Sequence, residues 1–302
     1  MLVSFFGASV TQQKNGYVDI FTKLCDNIIN VKKYGYGSMH ISDAGICFIN
    51  NVINDKPNYC FIDWFSTGFI NADGYIKQFI DTIVLKLIEI DCVPIFLFLD
   101  GKDMCSKRLD MYNYVINCAK QNNVDYLSMF NNENIDELLR DSVHTTELGA
   151  NYYGNTIYNQ FISCIMNKKA NTIIKTNMIK NDYYDIKLLN INETIYDSIT
   201  LYGNAKVIGI YQKIGPYSGI VDVIDADNNI VKHTIWDQWC NYERNKIILS
   251  FNVKNKATIK IINDEFDTSS CKHNIDWLSY EKKMEIIDIF YVGCVDRYII
   301  NT

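Results

Sequence analysis

What the chain lacks narrows its function first. It has no excess of positive charge: 29 Lys and Arg stand against 35 Asp and Glu, a formal net charge of −6. Nucleic acid and anionic membrane surfaces both need a basic face, so neither is the expected main partner. There is no run of about five like charges to mark an interaction tail. No stretch reaches the ~18 consecutive apolar residues that span a bilayer; the most apolar region, Ile83 to Leu99, is broken by Lys86, Glu89, Asp91 and Pro94. Met1-Leu2-Val3-Ser4-Phe5-Phe6 has no positively charged lead-in, and its apolar run ends at Gly7. It reads as a first strand and not as a signal peptide, and a cytoplasmic protein is expected. The ten cysteines form no C-x-x-C pair and no zinc-like spacing, so they read as reduced, mostly buried thiols, with no metal or other cofactor expected. Internal repeats and low-complexity tracts are absent too.

What is there is an ordinary globular composition, 48% hydrophobic and 21% charged over 302 residues. That length exceeds the ~100–200 residues of a usual single domain, so two domains are expected. Up to about residue 165, short apolar runs alternate with helical patterns, as in a parallel sheet covered on both faces. Strands are expected at Leu2–Phe6, Ile28–Val31, Tyr59–Ile62, Pro94–Leu99 and Val124–Leu127. Helices are expected near Tyr17–Asn27, Ser42–Asn54, Ala72–Ile90, Lys107–Asn122 and Glu147–Met166. The last carries Leu148, Tyr152, Ile157, Phe161, Cys164 and Ile165 as one apolar stripe, with Thr146 as its N-cap. The pattern predicts an α/β domain over 1–170, a flavodoxin-like doubly wound sheet of five parallel strands. Ligand sites in such sheets lie at the carboxyl ends of the strands. From about Asn171 the texture shifts to short alternating runs: 206–211, 219–225, 230–236, 246–253, 257–262 and 284–292. Asp227-Asn228-Asn229 reads as a hairpin turn. An antiparallel, jelly-roll-like β-sandwich is therefore expected over 171–302.

Two short strings carry the chemistry. Gly7-Ala8-Ser9-Val10-Thr11 ends the first strand and can present a serine hydroxyl at a strand-to-helix turn, where helix N–H groups can serve an oxyanion. A plainer reading has Ser9 or Thr11 capping a helix. Asp141-Ser142-Val143-His144 lies at the entrance to the final helix. Only four histidines exist, and only His40 and His144 fall in the α/β half. A serine hydroxyl needs a base, and an imidazole needs a partner to fix its tautomer. Ser9, His144 and Asp141 have the right types and order, although a surface histidine and a solvated turn carboxylate are the bland alternatives.

The first string resembles block I of the SGNH (GDSL) hydrolase superfamily, and the second matches its block V, D-x-x-H; the resemblance covers roughly residues 1–167. It implies Ser9 as nucleophile, His144 as general base and then acid, and Asp141 as its orienting partner. It also implies an oxyanion hole from the Ser9 N–H and the block II glycine, Gly37, with Gly35 as the alternative register. Block III departs from the family. Where G-x-N-D is expected the chain has Asp63-Trp64-Phe65-Ser66-Thr67-Gly68, with Trp64 at the glycine and Ser66 at the asparagine. Ser66 is then the expected third donor, with Asn71 as a substitute, and Trp64 a substrate contact. Block I also has Ala8 in place of aspartate.

In the β-rich half, Trp236-Asp237-Gln238-Trp239 and the following Cys240-Asn241-Tyr242 can grip a sugar by stacking, or can be an edge strand with buried tryptophans. Asp225 and Asp227 read as turn residues in preference to a calcium site. The expected protein is a serine-dependent O-acyl ester hydrolase, acting on an O-acetyl group of a carbohydrate or another small ester. The alternatives are a sugar O-acetyltransferase using the same three residues, and a catalytically weak glycan-binding or assembly protein.

Overall fold

The computed structural model describes residues 1–26, 28–66, 74–102, 106–130, 134–263, 271, 273 and 276–301. The chain divides into two compact units, Met1–Tyr184 and Asp185–Thr302. Among the described residues no helix is long and apolar enough to cross a membrane.

The first unit is built on five strands: β1 Leu2–Gly7, β2 Asn30–Gly35, β3 Tyr59–Asp63, β4 Val93–Phe98 and β5 Asp125–Ser128. They form one parallel sheet in the order β2-β1-β3-β4-β5. β1, β3 and β4 are almost wholly buried, which is why they read as continuous apolar runs without alternation. β2 starts two residues later than expected and extends through Lys32, Lys33 and Tyr34. It is an edge strand, where exposed lysines are favoured, and Ile28 outside it is 79% exposed. The chain leaves β1 for β2 on one side and returns to β3 on the other, so the end of β1 is the topological switch point of the sheet.

Helices cover both faces: α1 Ser9–Gln12, α2 Tyr17–Leu24, α3 Ile46–Asn54, α4 Gly74–Glu89, α5 Ser106–Asn122, α6 Ile135–Leu138 and α7 Glu147–Gln160. Alternating side chains of β1 feed two aromatic layers. Phe5 stacks on Phe61 at 4.7 Å and meets Phe21 of α2 edge-on, with Phe161 against Phe61. Phe6 points the other way, edge-on to Trp64 at 5.0 Å, where Tyr36 stacks on Phe48 of α3. Thr146 caps α7 by accepting from the Gly149 N–H at 3.1 Å, as expected. The apolar stripe differs: Leu148, Tyr152 and Cys164 are exposed. The buried face is Gly149, Ala150, Tyr153, Gly154 and Ile157, because small residues let α7 approach closely; a Cβ on Gly154 would collide with Ile20 and Tyr17 of α2. Past α7, residues 170–185 make short 3₁₀ turns. Asn181 there bonds to Gln78 and Thr82 of α4.

The second unit is antiparallel: β6 Lys187–Ile195, β7 Ser198–Ile214, β8 Ile220–Asp225, β9 Ile230–Thr234, β10 Arg244–Ile248, β11 Phe251–Ile262 and β12 Met284–Asn301. The order is β6-β12-β7-β11-β8-β9, with β10 also on β7. This fits the expected β-sandwich. β6 falls in a polar stretch where Leu189, Ile191 and Ile195 alternate only in part, and β12 is mostly exposed from Gly293 on, so neither extent shows in the sequence. The expected run 246–253 belongs to two strands, split after Ile248 by Leu249 at a positive φ of 72°. Among the described residues, sixteen buried ones, including Ile199, Leu201, Val221 and Ile259, form a core cluster. Asp225 builds the expected turn by accepting from the Asp227 and Asn229 N–H groups, both at 2.9 Å.

Candidate active site

The site stands where β1 ends. Gly7 pairs in register with Gly35 of β2 and Asp63 of β3, and a Cβ on it would overlap the Asp63 carbonyl and the Thr11 hydroxyl. The next residues turn at once into α1, so Ser9 projects from its first position.

Asp141 and His144 come from a tight hairpin between α6 and α7. Arg140 N–H donates to the His144 carbonyl at 2.9 Å and Thr146 N–H to the Leu138 carbonyl at 2.8 Å, and Leu139 pairs antiparallel with Thr145. The loop after β4 braces it through Lys102 N–H on the Ser142 carbonyl. In this hairpin Asp141 accepts from the backbone N–H of Val143 at 3.0 Å and of His144 at 2.8 Å. Both its oxygens lie 3.0 Å from His144 Nδ1. The opposite ring nitrogen, Nε2, lies 2.9 Å from Ser9 Oγ. Partial burial raises the Asp141 pKa, but the two backbone donors and the adjacent imidazole outweigh it and hold the carboxyl below its ordinary value. A hydroxyl, an imidazole and a carboxylate thus make one hydrogen-bonded line at the switch point. Such a line can move a proton off the hydroxyl while the tautomer stays fixed. His40, the other histidine of this unit, caps the turn before α3 with Asp43.

Gly35, which ends β2, and Gly37 just beyond it differ in surroundings. Gly35 lies against the Gln12 backbone, where a Cβ would overlap Cα and N. Gly37 lies by Ser9, whose Cβ is 3.9 Å from the position a Gly37 Cβ would take.

Block III is arranged otherwise than the family resemblance implies. Ser66 does not offer its hydroxyl to the space beside Ser9. It is 1% exposed and donates to Asp63 Oδ1 at 2.6 Å, while its carbonyl accepts from Arg108. Trp64, expected as a substrate contact, is 1% exposed and packs between Phe6 and Tyr36 as core. Thr67, Gly68 and Asn71 lie outside the described residues. In the second unit Trp236 leans on Trp277 at 5.8 Å beside a small core of Ile214 and Cys240, whereas Trp239 is 36% exposed.

Sequence reasoning missed Asp63. It is fully buried, and its Oδ2 accepts from Thr11 Oγ1 and the Tyr17 hydroxyl, each at 2.9 Å. With Ser66 it therefore anchors α1, the turn that carries Ser9. A charged residue closing an otherwise apolar strand was the available signal. Burial pushes the Asp63 carboxyl up to about 6 from an ordinary 3.8, while the bonds from Ser66, Thr11 and Tyr17 and the charge of Arg108 limit the rise. The folded protein thus holds this proton to a higher pH than the unfolded chain. Stability from the group is full below about pH 4 and is lost as pH rises toward 6. Asp63→Asn cannot titrate. Its stability relative to the native protein is expected to rise by about 2–3 kcal/mol between pH 4 and pH 7, read by urea unfolding at both pH values. A difference independent of pH would mean that Asp63 titrates as an exposed aspartate does.

No protein-family model matches this chain, and no curated protein sequence does. Solved structures do. A two-domain esterase active on acetylated mannans is similar over 98% of this chain and 92% of its own, at 12% identity and a TM-score of 0.64. The same kind of esterase co-crystallised with mannopentaose gives 11% identity and a TM-score of 0.66 over the same shares. An acetyl xylan esterase matches 53% of this chain and 98% of its own, at 19% identity and a TM-score of 0.45. The full-length likeness shows the fold: a doubly wound parallel α/β domain with an appended antiparallel β-sandwich.

Proposed function

We propose that the protein is a serine-dependent carbohydrate O-acetyl esterase with Ser9 as nucleophile, His144 as general base and then acid, and Asp141 as the group that orients it. The observation that carries this reading is the line from Asp141 through His144 Nδ1 and Nε2 to Ser9 Oγ, with Nε2 and Oγ 2.9 Å apart. Ser9 Oγ attacks the acetyl carbonyl carbon while His144 Nε2 takes the hydroxyl proton. The resulting oxyanion is held by the N–H groups of Ser9 and Gly37. Collapse breaks the C–O bond to the sugar, whose oxygen takes the proton from His144, and Ser9 keeps the acetyl group. Water then attacks the acetyl-serine, again giving a proton to His144; the bond from the acyl carbon to Ser9 Oγ breaks, Oγ takes that proton back from His144, and acetic acid leaves.

An acetylated glycan is favoured as substrate by the likeness to the mannan esterase. Trp239 and Tyr242 of the second unit, 36% and 50% exposed, offer aromatic faces of the kind that stack on sugars. Incubation with acetylated mannan tests the reading. Release of free acetate is expected. Acetyl groups moving only to an added sugar acceptor would make the protein an acetyltransferase, and glycan binding without either product would make it a binding protein.

A further inference from the structure

Gln13 joins the two halves of the site, which lie 132 residues apart in sequence. It is the C-cap of α1, four residues after Ser9, and its own N–H bonds back to the Val10 carbonyl. Its side-chain amide makes two bonds to one residue, Thr145, the neighbour of His144. Nε2 donates to the Thr145 carbonyl at 2.9 Å, and Oε1 accepts from the Thr145 N–H at 3.1 Å.

The hairpin explains why Thr145 needs such a partner. The bonds flanking the Leu139–Thr145 pair run from Arg140 N–H to the His144 carbonyl and from Thr146 N–H to the Leu138 carbonyl. Leu139 and Thr145 are thus a non-hydrogen-bonded antiparallel pair, and the N–H and C=O of Thr145 point out of the hairpin. Thr145 is 2% exposed, so water does not readily take over these groups. An unpaired buried donor or acceptor is costly. One carboxamide satisfies both and acts as a one-residue strand laid beside the hairpin.

We infer that Gln13 is a positioning residue that sets the distance between His144 and Ser9. This rests on the esterase reading for its kinetic consequence, but not for the bridge itself. Ser9 is held by α1, α1 ends in Gln13, and Gln13 grips the residue next to the imidazole. Gln13 is itself part-exposed, so replacing it leaves the core intact. Gln13→Met keeps the length and removes both bonds.

Two readouts test it in the full chain. With 4-nitrophenyl acetate, Gln13→Met is expected to lose about tenfold or more in kcat with KM within about twofold, since a displacement on the order of 1 Å is felt at the chemical step. Exchange of the Thr145 amide hydrogen, followed by NMR, is expected to speed up about tenfold or more. Gln13→Glu keeps only the acceptor: the Thr145 N–H stays protected, and kcat falls between the other two. It decides the matter should the Met variant fail to fold. Unchanged Thr145 exchange in Gln13→Met overturns the bridge, and faster exchange with kcat within about twofold overturns the positioning role. If the native protein hydrolyses nothing, the esterase reading fails, and the exchange result decides the bridge.

Discussion

Ser9→Ala is expected to lower kcat on 4-nitrophenyl acetate by about three orders of magnitude or more, with His144→Ala close behind and the double variant scarcely worse than either. The non-additivity follows from the geometry. Ser9 Oγ and His144 Nε2 share one hydrogen bond, so removing either partner leaves the other without a task. Asp141→Asn is expected to fall nearly as far, because an amide facing Nδ1 favours the wrong tautomer. Its two backbone donors, Val143 and His144, also lose the charge that holds them. Initial-rate measurements on the four variants check all of this. Retained turnover in Ser9→Ala would remove Ser9 from the mechanism.

Gly7→Ala is expected to be the most damaging change outside the three polar residues. A Cβ there overlaps the Asp63 carbonyl, which is backbone, and the Thr11 hydroxyl, which Asp63 already holds. Neither can yield without moving β3 or α1. Overpacking of this kind costs about 1–3 kcal/mol. The larger consequence is kinetic, because the displaced element is the one that aims Ser9. A shift on the order of 1 Å there is expected to cost about 100-fold in kcat. Denaturant unfolding and steady-state kinetics on the same preparation separate the two effects. Normal kcat in a destabilised Gly7→Ala protein would show that the turn tolerates the shift.

The parts legible in the sequence were those set by local pattern. The buried strands β1, β3 and β4 are continuous apolar runs because both faces are covered, and a serine after such a strand lies at the sheet's carboxyl edge. Asp141 and His144 are three residues apart, so a single turn brings them together. The parts that were hidden depend on partners distant in the chain. Nothing near Ser66 says that Arg108 donates to its carbonyl. Trp64, expected as a substrate contact, is core, because Phe6 and Tyr36 from other elements pack against it. On β6 Lys187 and Glu193 interrupt the apolar face of Leu189, Ile191 and Ile195, and pairing with β12 completes the strand. Gln13 gave no signal at all, since its role exists only once the hairpin of His144 lies beside it.

Asp63 shows how the departure at block III is accommodated. Where the family resemblance implies an amide donor, this chain closes β3 with a buried carboxylate that gathers Ser66, Thr11 and Tyr17 beneath the turn that carries Ser9. Among the described residues, the polar side chains at this strand end bond to Asp63 and support α1.

Activation of Ser9 by His144 is read most directly by covalent labelling with a fluorophosphonate, which reacts with an activated serine, followed by peptide mass mapping. One adduct is expected, on Ser9, formed by the native protein and lost in His144→Ala. An adduct on another residue, or equal labelling of Ser9 in the absence of His144, would contradict it.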